Sequence, residues 1–402
     1  MEIILKLSKE HLWKQVEEIY LWLVEMRRNF HAEPEFGMEE FLTRQKIISK
    51  LEEMDIPYEC VANTGVVGII RGAKEGKTVA LRADMDALPI HEENDLSYQS
   101  KFPGKMHACG HDAHMTILLG AAKLLQEYRH FFSGNVKLFF QPAEETVGGA
   151  KPMIEEGVLE NPKVDAIFGV HVAPHIPVGQ IAVKYGQMYA SSDTIHIQIV
   201  GENGHGAYPH TGKDAIVIAA QVIQSLQTIV SRNVDPRQSA VLSIGVIQGG
   251  TQANIIANKV ELTGTVRTLN QQIRKTVLQR IEEMVSLVAR SMGGESNLRV
   301  VEGYCSLHND KDMVDLVKQT GQFLLGEHQV QVEELPSLGV EDFAFFLKDV
   351  PGAFYRIGCR NEEMGCVYDL HHPRFNLDEK CLKIGTAMQV ANALRFLGVS
   401  IQ

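Results

Sequence analysis

Four short apolar runs, at residues 66–71, 78–83, 136–140 and 166–170, recur along the first part of this chain, and a helical stretch at 115–127 separates the second from the third. Such runs, rich in β-branched and aromatic residues, read as buried strands. Two helices are expected ahead of them. One follows from Leu12, Val16, Ile19, Tyr20, Leu23 and Met26 at helical spacing, and the other spans 41–54. Strands alternating with helices predict an α/β fold, with a mixed, mostly parallel sheet flanked by helices. Open sheets of this kind gather ligands at the carboxyl ends of their strands. The residues that follow each apolar run therefore carry the functional information.

The pattern changes near residue 193. Thr194 to Val200 alternates strictly, as a half-exposed strand does, and a helix is expected at 214–230. Strands at 240–246 and 259–267 flank a loop containing Gly249 and Gly250, followed by a helix at 271–292 and a strand at 297–304. That β-α-β-β-α-β order is ferredoxin-like. A chain of 402 residues has room for two domains. The expected division is a catalytic α/β domain in two parts, 1–184 and 306–402, interrupted by an inserted domain at 185–305.

A net charge of −11 and the absence of any basic run argue against a nucleic-acid partner. The N-terminal stretch lacks a charged-then-apolar signal pattern, and the longest apolar runs are far shorter than a bilayer span. The six cysteines are scattered without a C-x-x-C pair, which fits thiols in a reducing, cytoplasmic setting.

The segment Met106-His-Ala-Cys-Gly-His-Asp-Ala-His114 sets a thiol, two imidazoles and a carboxylate within six positions. These are ligand types for zinc-like divalent cations. In an extended segment Cys109 and His111 share a face. The same residues also read as a buried thiol beside a helix N-cap at Asp112. Asp84 and Asp86 follow a strand and would repel unless a cation or histidine lay between them; a solvated acidic loop is the plain alternative. Glu144 and Glu145 end another strand and point different ways. One can ligate a metal while the other reaches a water, or both form an exposed acidic strand end. His171 ends a further strand, and His371 lies in a loop before Pro373. In the inserted region, His205 sits between glycines in Gly204-His-Gly-Ala-Tyr-Pro-His210, a turn that suits either ligand approach or a surface histidine. Asn254, after the Gly249-Gly250 loop, and Arg267, at a strand end, could together grip a carboxylate.

In this order the motifs resemble the M20 metallopeptidase family, within it the amidohydrolase branch of aminoacylases, hippurate hydrolases and auxin-conjugate hydrolases. The segments that carry the resemblance are 28–36, 82–89, 109–114, 141–145, 204–210 and 339–343. It implies two divalent metal ions per subunit, zinc first, with manganese, cobalt or nickel compatible with the ligand mix. By position Cys109 would bridge them, with His111, Glu145, His171 and His371 as the other ligands. Glu144 matches the general base and Asp86 a carboxylate that orients a metal-site group. Asp84 stands where sister branches have a metal-binding histidine. His205 matches a lid histidine that reaches the partner subunit's site, and Asn254, Arg267 and Gly339 match positions that contact the substrate's carboxylate end. Asn203 replaces a common glycine just before Gly204-His205.

The activity implied is hydrolysis of N-acyl-L-amino acids, with acetyl, benzoyl or related acyl groups, by a metal-activated water. The inserted domain is expected to serve as a lid and to join a homodimer. Within the same family a deacetylase of the N-acetyl-diaminopimelate type and a dipeptidase are the alternatives. From other classes come a metal-independent cysteine hydrolase using Cys109 and a non-catalytic metal- or ligand-binding protein. The cysteine hydrolase leaves Glu144, Glu145 and His371 without a role, and pure binding has no need of Glu144.

Overall fold

A computed structural model describes residues 7–402. The chain forms two units: residues up to Gly186 with Asn309–Glu334 and Phe345–Gln402, and Gln187–His308 with Leu335–Ala344.

The first unit is built on strands β1 (Tyr58–Val61), β2 (Gly65–Arg71), β3 (Thr78–Asp84), β4 (Asn135–Gln141), β5 (Ala166–Pro177), β6 (Ile181–Val183), β7 (Val330–Val332) and β8 (Gly352–Arg360). They form one sheet in the order β1-β2-β4-β3-β5-β8-β6-β7. β4, β3, β5 and β8 run parallel at its centre, and antiparallel pairs flank them. This is the mixed, mostly parallel sheet that the alternation predicts. Every residue of β3 is buried, as a central parallel strand covered on both faces requires.

Helices cover the sheet: α1 (Lys9–Glu18), α2 (Tyr20–Ala32), α3 (Phe41–Glu53), α4 (His111–Glu127), α5 (Lys311–Leu325) and α6 (Lys380–Phe396). The single opening helix expected from its periodicity is two, broken at Ile19, whose ψ of 0° departs from the helical value. The break lets Leu12 and Val16 of the first helix and Leu23, Met26 and Phe30 of the second enter one core. Buried from His111 through Ala122, α4 is the central helix, packed against α2, α6 and β3. It starts four residues earlier than periodicity suggests, because His111, Asp112 and His114 are polar yet buried.

In the second unit, strands Ser191–Val200, Ala240–Gly249, Lys259–Thr268 and Glu295–Glu302 pair antiparallel. The order across the sheet is second, third, first, fourth. Helices Ala215–Thr228 and Gln271–Ser291 bury Ile218, Val222, Leu226, Val277, Ile281 and Val285 against it. The first of these, continued by a π turn to Asn233, is long and apolar enough to cross a membrane by length and composition alone. One stripe of it packs in this core, while Ile216 and Val217 on its other side are exposed.

Candidate metal centre

The centre is assembled where β3, β4 and β5 meet the start of α4. Cys109 and His111 do not lie on an extended segment. Gly110, with φ +86°, is the N-cap of α4 and turns the chain between them. Asp112 is accordingly not the cap. It sits in the first helical turn and takes the Arg27 guanidinium at 2.8 Å and His31 at 2.8 Å, all three fully buried. Burial alone would raise the Asp112 carboxyl, but the Arg27 charge and the His31 hydrogen bond hold it far below the usual range. This network was not legible in sequence, because Arg27 lies 85 residues away.

His171 does not end its strand. β5 continues to Pro177 because β8 pairs along its length, with Arg356 opposite His171. The His171 Nδ1–H donates to the carbonyl of Val172 at 2.7 Å. That bond selects the tautomer whose Nε2 lone pair faces Cys109 Sγ, 3.4 Å away. Val172 N–H in turn donates to His114 Nε2 at 2.9 Å, and His114 Nδ1–H donates to Asp84 Oδ1 at 2.6 Å. Asp84 Oδ2 also accepts from Arg82 at 2.6 Å. Asp84 and His114 thus satisfy each other and buttress the backbone that carries His171. Burial pushes Asp84 up, but His111, Arg82 and His114 outweigh it and keep the carboxylate ionised.

Asp86 accepts the backbone N–H groups of Glu144, at 3.0 Å, and Glu145, at 2.9 Å. Its Oδ1 is also 3.3 Å from His111 Nδ1. His371 has a left-handed backbone, φ +64°, and its N–H donates to the carbonyl of Ala108 at 2.8 Å. This brings His371 Nε2 to 3.1 Å from Glu145 Oε1.

Five expected ligands therefore come together. Donor atoms of Cys109, His111 and His171 lie within 4.8 Å of one another, as do those of Cys109, Glu145 and His371. Cys109 belongs to both sets. Among the described residues, His111 Nδ1 and Nε2 and Glu145 Oε1 are buried without a hydrogen-bond partner. Buried polar atoms are normally satisfied; His111 Nδ1 faces Asp86 Oδ1, and cations at the two sets would satisfy His111 Nε2 and Glu145 Oε1. Burial raises the Cys109 thiol well above its ordinary value, and Glu145, Glu144 and Asp84 add to the effect. Burial would lower His111, but Asp84 and Asp86 push it up to about 10. Glu145 is lowered: burial opposes this, but His371 and His111 prevail. An electronegative pocket with a thiol and unsatisfied imidazole and carboxylate atoms suits divalent cations.

The four expected residues of the second unit fall into two pairs. His205 lies in a two-residue strand paired with Ile255–Ile256, and Asn254 accepts the Gly206 N–H at 2.8 Å. Both stand near the Val200 end of the strand Ser191–Val200, where Gly201 N–H meets Asn258. Arg267 pairs with Ser192, and the carbonyl of Gly339 accepts the Ala190 N–H at 3.0 Å, both at the opposite end. At the rise of a strand the two ends are roughly 30 Å apart. Asn254 and Arg267 of one chain therefore do not grip one carboxylate together.

Residues 80–395 match peptidase family M20/M25/M40. The chain belongs to that family. Within it the chain falls in the amidohydrolase branch, and it is a metal-dependent hydrolase of amides. A protein of Saccharolobus solfataricus named thermostable carboxypeptidase 1 is 39% identical over 392 residues, covering 96% of this chain and 98% of that one. An N-acetyl-L-cysteine deacetylase of Bacillus subtilis is 39% identical over 396 residues, covering 98% and 92%. The crystal structure of Bacillus subtilis YXEP, described as a dinuclear metal binding peptidase from the M20 family, is 35% identical with a TM-score of 0.84, covering 96% of this chain and all of that one.

Proposed function

We propose that this M20 hydrolase cleaves the amide bond of N-acyl-L-amino acids at a site that holds two divalent cations. The observation that carries this reading is the pair of ligand sets sharing Cys109, with Glu144 and Glu145 on adjacent positions beside them. Cys109, common to both donor sets, and His111, Glu145, His171 and His371 would hold them. Zinc suits the thiolate, and manganese, cobalt and nickel remain compatible. Divalent cations there supply Lewis acidity, which acidifies water and polarises a carbonyl oxygen.

Glu144 is the general base. It takes the proton of the attacking water and delivers it to the leaving amine nitrogen. Asp86 holds the two amides that precede the Glu144 and Glu145 side chains, so it fixes their directions. The Val172 carbonyl fixes the tautomer of His171, and Asp84 fixes that of His114.

The second unit acts as lid and dimerisation module, and His205 with Asn254 serves the neighbouring subunit. Their distance from Arg267 and Gly339 along one strand supports that division. Arg267 and Gly339 contact the carboxylate end of the substrate. A two-fold pair lets each subunit complete the other. All six cysteines are free, which supports a reducing, cytoplasmic setting.

Glu144→Gln tests the core of this reading. Loss of general-base catalysis predicts a fall in kcat of about 10²–10⁴-fold with metal content unchanged. Unchanged turnover would remove Glu144 from the mechanism. A panel of acetyl-, benzoyl- and succinyl-amino acids, assayed with several metals, identifies the acyl group. The resemblance to a carboxypeptidase favours one second reading, cleavage of short peptides, so dipeptides belong in the same panel. A preference for them over acyl-amino acids would establish it.

A further inference from the structure

The backbone that bears Glu144 and Glu145 is held at three consecutive amides. Asp86 takes those of Glu144 and Glu145, and the third, Ala143 N–H, donates to Glu40 Oε1 at 2.8 Å. Glu40 stands at the N-cap position of α3 yet makes no side-chain cap there. Capping falls to Glu35, which accepts the N–H groups of Leu42 at 3.1 Å and Thr43 at 2.8 Å. The Glu40 carboxyl, wholly buried, instead crosses 103 residues of sequence to Ala143 and meets Thr64 Oγ1 with its other oxygen at 2.5 Å.

Ala143 needs such a hold. Its φ of +55° lies in the left-handed region, which a residue with a Cβ occupies only when its surroundings impose it. Gly148 N–H closes the turn onto the Ala143 carbonyl at 2.9 Å. The chain just before Glu40 lies directly on this turn: a Cβ at Gly37 would come within 2.4 Å of Thr146 Oγ1 and 2.9 Å of Ala143 Cα.

We propose that Glu40 is a positioning residue of the active site, clamping the left-handed turn at Ala143 and so setting the directions in which Glu144 and Glu145 leave the chain. The inference rests on the roles given above to Glu144 and Glu145. Burial, with the nearby Asp86 charge, pushes Glu40 up to about 7. A neutral isostere should therefore serve. In Glu40→Gln the amide oxygen can accept the Ala143 N–H while the amide nitrogen donates to Thr64.

Hydrogen exchange of the metal-free protein reads the clamp directly, and kcat and KM with the best substrate of the panel read its consequence. Glu40→Ala should speed exchange at residues 143–148 while the rest of the first unit stays protected. It should also lower kcat by about 10-fold or more with KM changed by less than about 3-fold, the pattern of misplaced catalytic groups. Glu40→Gln should restore slow exchange and hold kcat within about 3-fold of the parent, because it can make both hydrogen bonds. Thr64→Val, which removes only the second bond, should fall between them, and it carries the test if Glu40→Ala does not fold. Unchanged exchange at 143–148 in Glu40→Ala, or in Thr64→Val if that variant stands in, overturns the clamp. Faster exchange with unchanged kcat overturns its link to catalysis. Failure of Glu144 as base shows separately, as unchanged turnover in Glu144→Gln.

Discussion

Gly110→Ala isolates the turn that places Cys109 and His111. A Cβ built there would lie 2.3 Å from Val172 Cγ2. Val172 is 1% exposed, and its backbone is engaged by His114 on one side and His171 on the other, so it has little room to retreat. Two costs add. The left-handed φ of +86° costs a residue with a Cβ about 1–2 kcal/mol. Overpacking a filled core costs about 1–3 kcal/mol more. Gly110→Ala should therefore destabilise the metal-free protein by about 2–5 kcal/mol in urea unfolding. Val172→Ala removes the opposing methyl groups and by itself should cost about 2 kcal/mol. In the double variant the clash disappears while the backbone cost of alanine and the cost of truncating Val172 remain, so the two substitutions should couple by the lost overpacking term, about 1–3 kcal/mol. Zinc affinity should fall in Gly110→Ala and partly recover in the double variant. A loss below about 0.5 kcal/mol in the single variant, or strict additivity in the cycle, would refute the assignment of this turn.

Three further outcomes follow from the site. Exhaustive chelation should abolish amide turnover and a divalent cation should restore it; activity surviving with no bound metal would instead favour Cys109 as a nucleophile. Because His205 is assigned to the neighbouring subunit, inactive His205→Ala and Glu144→Gln proteins should regain about a quarter of parental activity when their subunits are mixed, since random pairing leaves one intact site in half of the dimers; no recovery after demonstrated exchange would confine His205 to its own subunit. Glu40, raised to about 7 in the folded state, binds a proton more tightly there than in the unfolded chain. Its contribution is complete below the unfolded value near 4.5 and is lost as pH rises through about 7, by roughly 3 kcal/mol. The stability of the parent relative to Glu40→Gln should fall across that window, and a flat difference would contradict it.

Much of the site was legible in the chain. Cys109, His111, Glu145, His171 and His371 carry donor chemistry in a recognisable order, and β5, the start of α4 and the loops holding Glu145 and His371 bring their donor atoms to one place. Strand identities were legible for the same reason, since buried parallel strands are continuous apolar runs. Local spacing misled where burial depends on distant partners. Asp112 looks like a cap, but Arg27 and His31 draw it into the interior. His171 looks like a strand end, but β8 extends its strand by six residues. No local pattern singles out Glu40, and only its reach to Ala143 distinguishes it.

Sequence alone determined most of the elements and the inventory of candidate donor side chains, because periodicity and side-chain chemistry are properties of the residues themselves. Tertiary structure decided the rest: which nitrogen of His171 faces the thiol, which carboxylates hold backbone amides, and that Asn254 and Arg267 lie at opposite ends of one strand. Tautomers and backbone hydrogen bonds depend on partners dozens of residues away, and no local pattern encodes the distance between two strand ends once the chain has folded back on itself.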